Sequence, residues 1–476
     1  MYLGIDLGTS GVKLLLIDGD QRVTGVATGP LSVSRPQTGW SEQDPADWLK
    51  ATRGAMADLA RNRDLSAVRG IGLSGQMHGA VVLDDALDVI RPAILWNDSR
   101  SYEQAARLDA DPDFRAISGN IVFPGFTAPK LVWMAEQEPE HFARIRTVLL
   151  PKDYLRLWLT TELVSEMSDA AGTSWLDVGA RAWSDRLLDK TGMRRDQMPA
   201  LIEGNEVSGR LRPGIAAELG LPPGIPVAGG AGDNAATAIG AATVIEGQGF
   251  VSLGTSGVLF AATDRYSPRP ESAVHTFCHA LPGRWQQMGV ILSASAAMSW
   301  WSTVSGREPA DLTAELGPDL RAPGRVSFLP YLSGERTPHN NARARASFHG
   351  LSARSDRAQM TQAVMEGVAF AFADSLAALR EAGADPRSLL ALGGGARSQY
   401  WLKAVATALD LPVQLPESGD FGAAFGAARL GLMAATGADP AAICTPPAIS
   451  AEIRPDPALR DDFAAALERF RALYRG

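Results

Sequence analysis

The sequence predicts an α/β protein built of two similar domains, and three observations carry that prediction. Short strand-like apolar runs alternate with helix-like ones along most of the chain. A five-residue tip, Gly8-Thr9-Ser10-Gly11-Val12, recurs letter for letter as Gly254-Thr255-Ser256-Gly257-Val258, each time after an apolar run. The chain of 476 residues also exceeds what one core organises, at roughly 100–200 residues per domain. We place the junction so that residues 1–243 form one domain and 244–476 the other, just after a small-residue helix read over Ala235–Ala242.

Taken in order, Tyr2–Asp18 reads as strand, glycine-containing turn, strand, with a third strand over Arg22–Ala27. Ser34–Asp44 is a polar loop. Asp44-Pro45 starts a helix as N-cap and first residue, and Trp48, Leu49, Met56, Leu59 and Ala60 give it an apolar face. Val68–Ser74 is a buried strand running into Gly75-Gln76-Met77-His78-Gly79, and Ala93–Trp96 is another, ending at Asn97-Asp98-Ser99-Arg100. From Phe114 to Leu221 the pattern is less regular: Leu131–Glu136 and Lys152–Leu159 read as helices, Ser165–Asp177 as a loop. Ile225–Gly229 is a strand leading to Gly230-Ala231-Gly232-Asp233-Asn234. The second half repeats the hairpin. It continues with helices over Val290–Trp301, Arg357–Leu379, Ser398–Leu409, Ala423–Ala435 and Ala458–Tyr474, and with a strand over Leu389–Leu392 into Gly393-Gly394-Gly395.

Composition narrows the function classes. Apolar content of 46% with 21% charged residues fits a globular chain. A net charge of −8 without a long Lys/Arg cluster argues against nucleic acid or an anionic membrane as partner. Two cysteines, Cys278 and Cys444, form no disulfide framework and fit a reducing compartment. No signal-peptide pattern and no uncharged run of spanning length is visible, so the expectation is a cytoplasmic protein.

A short glycine-containing tip lets backbone N–H groups and hydroxyls approach an anion. Asp6, two residues before Gly8, suits such a place when a divalent cation lies between carboxylate and phosphate. The copies differ: Asp6 corresponds to Ser252 and Lys13 to Leu259. Asp233 stands in a small-residue turn before a helix, where a carboxylate can take a proton from an alcohol; a plain N-cap explains that placement equally well. Met77-His78 can cover and hydrogen-bond a sugar, although the dipeptide alone reads more simply as core. His275, Cys278 and His279 prompt a zinc site, which the missing fourth ligand argues against. No P-loop or dinucleotide fingerprint is present, so a nucleotide site here is of another type.

Gly125-Phe126-Thr127 with Lys130-Leu131-Val132-Trp133, and the span Ala346–Glu366 with Phe348, Gly350, Leu351 and Ala363, complete a pattern that resembles the FGGY family of carbohydrate kinases nearly end to end. The resemblance implies two ribonuclease H-like domains of the actin/Hsp70/hexokinase ATPase type with a cleft between them. It implies ATP and Mg2+ as cofactors. Thr9, Ser10, Lys13, Gly254, Thr255, Gly394, Gly395 and Ser398 are the implied nucleotide contacts, and Asp6 and Asp233 the catalytic carboxylates and metal-side residues. Ser74–Gly79, Leu95–Arg100 and Leu329–Pro338 are similar to family members that act on D-xylulose. They imply D-xylulose as substrate, bound by Met77, His78, Gln76 and Asn234. Gly419–Gly422 only approximates a motif of some relatives. D-ribulose, L-xylulose, a deoxy-ketose or a polyol stay open as substrates, and a sugar-sensing ATPase as another role. Family members are often dimers, so a homodimer is a further expectation.

Overall fold

The computed structural model describes residues 1–417 and 421–474; Gly419 and Asp420 of the 419–422 motif lie outside them. By packing, the chain divides into two compact units. One comprises Met1–Val244, Phe277–Trp285 and Asp420–Pro446; the other comprises Ile245–Thr276, Gln286–Gly419 and Pro447–Gly476.

The first unit is built on a sheet in the order Val207–Arg210, Pro226–Ala228, Gly70–Gly75, Tyr2–Leu7, Gly11–Ile17, Val23–Pro30. Tyr2–Leu7 pairs antiparallel with Gly11–Ile17 and parallel with Gly70–Gly75. These central strands are near-continuous apolar runs because helices cover both faces: Leu3, Ile5, Leu7, Leu14 and Leu16 are wholly buried. The helix Pro45–Ala60 covers one stretch. Asp44 caps it by accepting from the Ala46 N–H at 2.9 Å, and Thr52 and Ala55 join Trp48, Met56 and Leu59 on its buried face. Leu49 lies half-buried and Ala60 is exposed.

The sheet also receives the helix Ala423–Thr436, which the chain order alone assigns to the second half. Its approach is close enough to demand glycine. A β-carbon on Gly72 would collide with the Ala427 carbonyl and lie 2.8 Å from the Gly431 nitrogen, and one on Gly70 would lie 2.6 Å from the Gly431 carbonyl oxygen. Arg429 on this helix donates to the carbonyls of Ile239 and Gly240 at 2.9 and 3.2 Å, satisfying the last turn of the helix Asp233–Gly240.

The second unit repeats the strand order: Trp285–Ile291, Gly257–Thr263, Gln248–Leu253, Ser388–Leu392, Val413–Pro416. Again the hairpin is antiparallel and its first strand pairs parallel with the next. Val290 and Ile291, expected at the start of a helix, close an inner strand instead, between His275–Cys278 and Gly257–Thr263; β-branched residues extend the sheet there, and the helix begins at Ser295. The core is threaded by Arg357–Glu381, begun by an Asp356/Gln359 capping box. Val364, Val368, Phe372 and Leu376 lie on its buried side. This helix is long and apolar enough to cross a membrane, yet its apolar window is buried inside the unit, which marks it as a core helix.

The stretch Ser165–Asp177 departs from the expected loop. It holds the strand Val164–Glu166, the short helix Met167–Ala170 and a turn of 3-10 helix, and nearly all of it is buried. Its small residues pack around charged groups rather than facing solvent.

Candidate active site

In the first unit the strand registers gather the predicted residues at the carboxyl ends of neighbouring parallel strands. Asp6 lies opposite Lys13 on one side and Ser74 on the other, and Ala231 flanks Ser74 from the far side. Residues in such a row share a face of the sheet. The Ser74 hydroxyl is fully buried and finds no protein partner in this row, so the row has polar capacity that water or a hydrated cation would fill. Two strand spacings of about 4.8 Å put the backbones of Asp6 and Ala231 roughly 10 Å apart, with Ser74 between them.

The first tip is shaped by protein donors that consume its carbonyls. Gly8 N–H donates to Gly11 O at 3.0 Å, Leu31 N–H to Ser10 O at 2.9 Å, and Gln43 Nε2 to Thr9 O at 2.8 Å. With these lone pairs turned to protein, what the tip offers an anion is N–H groups and the exposed Ser10 hydroxyl. Thr9 Oγ1 donates to Gln76 Oε1 at 3.0 Å and accepts from Trp96 Nε1 at 2.9 Å. Gln76 Nε2 donates in turn to Gln43 Oε1 at 3.0 Å, which also takes the Trp48 indole N–H. Gln76 is thus buried and engaged with the tip, and Gln43 and Trp96 belong to the same network.

Met77 and His78 are positioned from three sides. His78 has a left-handed backbone, φ 67°. Its carbonyl accepts from Thr127 Oγ1 at 3.1 Å and from the fully buried Lys130 Nζ at 2.7 Å, and Lys130 also donates to Gly125 O at 2.7 Å. Burial holds the Lys130 pKa well below the ordinary lysine value. The imidazole stacks on Phe126 with centroids 4.5 Å apart. Its Nδ1 lies 2.7 Å from Gly172 O. A carbonyl only accepts, so Nδ1 carries the proton; if the ring is neutral, Nε2 is then an acceptor. Met77 packs on Gly232 and Gly172: a β-carbon at Gly232 would come 2.8 Å from Met77 Cγ.

Asp233 opens its helix, with Gly232 at the cap position. Its Oδ1 accepts from the Asn234 backbone N–H at 2.7 Å and from Asn234 Nδ2 at 2.9 Å. Burial pushes the carboxyl up to about 6 against those two bonds. A carboxylate titrating there is ionised at neutral pH and still basic enough to take an alcohol proton. Asn234 therefore serves the carboxylate directly.

The second unit holds the other predicted residues. Its tip is again relieved of its carbonyls: Ser295 N–H donates to Gly254 O at 2.8 Å, Ala294 and Ala296 N–H to Thr255 O at 3.0 and 3.1 Å, and Ser295 Oγ to Leu253 O at 2.9 Å. Gly393, at φ 85°, turns the chain hard against Leu253. Gly394 and Gly395 follow, and Ser398 caps the helix Gln399–Leu409 by accepting from Trp401 N–H at 3.2 Å. A cavity of about 920 Å³ opens here, lined by Gly394, Gly395, Ser398, Met298, Pro309 and Tyr400 among others. That is the size of a pocket that encloses a nucleoside-sized ligand. His279, of the rejected zinc trio, is buried with Nε2 3.2 Å from Thr243 O and Nδ1 accepting from Leu281 N–H. Among the described residues no three His, Cys, Asp or Glu side chains are placed to share an ion.

Two units of one topology, each with a carbonyl-capped tip, one bearing carboxylates and the other a nucleoside-sized cavity, define a two-domain kinase fold of the actin/hexokinase-like ATPase class. Family models describe the same two parts: the N-terminal domain of the FGGY family of carbohydrate kinases matches residues 1–240 and its C-terminal domain residues 249–435. The chain belongs to that family, which uses ATP. It is 49% identical to the xylulose kinase of Escherichia coli K12, over 91% of this chain and 90% of that one. It is 46% identical to the xylulose kinase of Klebsiella pneumoniae over 100% and 98%. A crystal structure described as a "xyloylose kinase" from Brucella ovis superposes with a TM-score of 0.98 at 64% identity, covering 99% and 98% of the two chains.

Proposed function

We propose that this enzyme transfers the γ-phosphoryl group of ATP to the C5 hydroxyl of D-xylulose. The observation that carries the proposal is the joint packing of Met77-His78 and Asp233: Met77 lies on Gly232, the residue before the carboxylate, and His78 is tied to Gly172 of the same wall. The names of the relatives, at close to half identity over nearly the whole chain, support the choice of sugar.

In this reading His78 Nε2 accepts a hydrogen bond from one hydroxyl of the ketose while Met77 covers an apolar face. Asp233 accepts the proton of the attacking hydroxyl as its oxygen bonds to phosphorus and the bridge to ADP breaks. The tip of the first unit offers phosphate oxygens its N–H groups and the Ser10 hydroxyl; in the second unit the tip offers N–H groups and the Thr255 hydroxyl, and the cavity beside Gly394 takes the nucleoside. Asp6, in a row with Lys13 and the unpartnered Ser74 hydroxyl, is the residue suited to Mg2+, held through water. Bound there, Mg2+ supplies charge neutralisation at the phosphate oxygens. General-base help contributes about 10²–10⁴-fold, so positioning and charge provide the larger part of the acceleration.

The test is ADP release with Mg-ATP across a panel of ketoses and polyols, with the phosphorylated position read by NMR. D-xylulose is expected to give the highest kcat/KM and a 5-phosphate. A clearly better sugar would overturn the substrate, and equal ADP release without sugar would overturn the kinase reading.

A further inference from the structure

Behind Asp233 the first unit buries five ionisable side chains without exposure: Lys152, Arg156, Asp153, Glu166 and Asp169. Lys152 Nζ lies 2.8 Å from Asp153 Oδ1, 3.0 Å from Asp169 Oδ2 and 3.2 Å from Glu166 Oε1. Arg156 Nη1 is 2.5 Å from Asp153 Oδ1. Burial opposes the Lys152 charge, yet Asp153, Asp169 and Glu166 hold its pKa above the ordinary value. Burial, with the neighbouring Asp153 and Glu166 carboxylates, pushes Asp169 above the ordinary carboxyl value against the pull of Lys152, so two cations face three carboxyl groups. A buried network of this kind is a costly way to fill a core, since apolar residues of the same volume do as well or better for stability. Its contacts show what it holds.

Both ends of the network reach the backbone that carries Asp233. Arg156 Nη2 donates to the carbonyl of Gly229, and Arg156 Nε donates to Ser208 Oγ at 3.0 Å. At the other end, Glu166 accepts from Ser168 N–H at 2.7 Å, from Ser168 Oγ at 3.1 Å and from Asp169 N–H at 2.9 Å. Ser168 Oγ, oriented by donating to Glu166, accepts the N–H of Gly232 at 3.1 Å. Gly232 is the residue immediately before Asp233 and has no side chain of its own to fix it. The segment 229–232 is therefore clamped at both ends by side chains that touch neither sugar nor nucleotide in the proposed reaction.

We infer that Ser168, held by the Lys152–Glu166 pair, is a positioning residue that sets the orientation of the Gly232–Asp233 peptide and so aims the Asp233 carboxylate at the acceptor hydroxyl. The inference rests on the assignment of Asp233 as base. Ser168 acts on the base more directly than on the sugar contacts: it bonds the Gly232 N–H, whereas Met77 touches Gly232 by packing alone and His78 is anchored separately through Gly172 and Lys130. Its loss therefore lowers turnover without weakening sugar binding, and misplacing a reacting group by about 1 Å costs on the order of 10²-fold.

The experiment compares Ser168→Ala, Ser168→Thr and Asp233→Asn in the full-length enzyme, with kcat and the KM for D-xylulose measured at saturating Mg-ATP. Ser168→Ala is expected to lower kcat about 10–100-fold with KM within about twofold, and Ser168→Thr, which keeps the hydroxyl, to recover most of kcat. Ser168→Ala with kcat within about twofold of the parent, beside an inactive Asp233→Asn, overturns the positioning role alone. Retained turnover in Asp233→Asn overturns the base assignment on which it rests. A Ser168→Ala loss that Ser168→Thr does not recover, or that falls equally on KM, also overturns the inference in favour of simple packing. If Ser168→Ala does not fold, Ser168→Cys, a near-isostere with a weak acceptor, is read by the same criteria.

Discussion

If Asp233 is the base, as proposed, lowering the pH should silence it while stabilising the fold at that residue, so the two effects separate there. Its carboxyl is raised from 3.8 to about 6, chiefly by burial. About nine-tenths of the enzyme then carries the ionised base at pH 7 and about one-tenth at pH 5, so kcat/KM for the sugar should fall about tenfold over that interval. The stability effect of the same group has the opposite sign. A carboxyl whose folded pKa is raised stabilises the fold below its ordinary value, and that contribution is lost as pH rises through about 6. Acidification from pH 7 to 5 thus stabilises the fold at this residue while it removes the base. The assay varies D-xylulose at saturating Mg-ATP from pH 5 to 8 by direct ADP detection, with melting temperature followed at each pH. The acid limb should be present in the parent and absent from the residual activity of Asp233→Asn. A parent whose kcat/KM at pH 5 stays within twofold of its pH 7 value would refute the reasoning.

Three other substitutions probe separate parts of the molecule. Lys130→Met strips one of two donors from the His78 carbonyl, which keeps Thr127 Oγ1, and a donor from the Gly125 carbonyl, an unpaired carbonyl costing about 1–3 kcal/mol; the sugar KM should rise about tenfold, and a KM within twofold would remove Lys130 from this role. Gly394→Val adds bulk where no protein atom lies within 4 Å of the new β-carbon, in the wall of the 920 Å³ cavity. The KM for ATP should therefore rise while the melting temperature holds, and an unchanged ATP KM would move the nucleoside elsewhere. Gly72→Ala drives a methyl into the Ala427 carbonyl; at about 1–3 kcal/mol for overpacking and roughly 2–4 °C per kcal/mol, thermal melting should drop by several degrees, and an unaltered melting curve would contradict the packing.

What was legible in the sequence was whatever local chemistry dictates. Asp44-Pro45 marks a helix start because capping and a fixed φ are properties of those two residues, and the structure begins the helix there. The repeated tip reads as a hairpin because glycine and hydroxyl residues between apolar runs have few alternatives. The contacts that organise the site are of another kind. Lys130 reaches back to His78 across 52 residues, Ser168 meets Gly232 across 64, and the helix Ala423–Thr436 joins a sheet whose first strand begins at Tyr2. No periodicity encodes such distances. The one trace they leave is negative: glycines at 4, 70 and 72, in strands where a side chain would otherwise add packing, mark the places where another backbone must come close.

The duplicated tip shows the same limit from the opposite side, where identical letters give different structures. In the first hairpin Leu7 pairs with Val12, enclosing four residues; in the second Leu253 pairs with Gly257, enclosing three. A one-residue difference in register turns every following side chain to the other face. Val12 is buried and Lys13 half-buried in the first strand, whereas Val258 is half-buried and Leu259 fully buried in the second. Asp6 accordingly faces Lys13, while Ser252 faces Val258 and Leu259 faces Val251. The replacement of Lys13 by Leu259 thus follows from burial imposed by the register. Gly257 is likewise required by its own core, since a β-carbon there would come 2.5 Å from Phe372 Cζ and 2.6 Å from Ile291 Cγ1, whereas one at Gly11 would meet the Gly29 carbonyl oxygen at 2.8 Å. What the two halves share is a strand end whose carbonyls are taken by protein donors, which leaves N–H groups and hydroxyls as the part suited to an anion. The acid–base pair of the first tip exists because its register alone sets a lysine across from the aspartate.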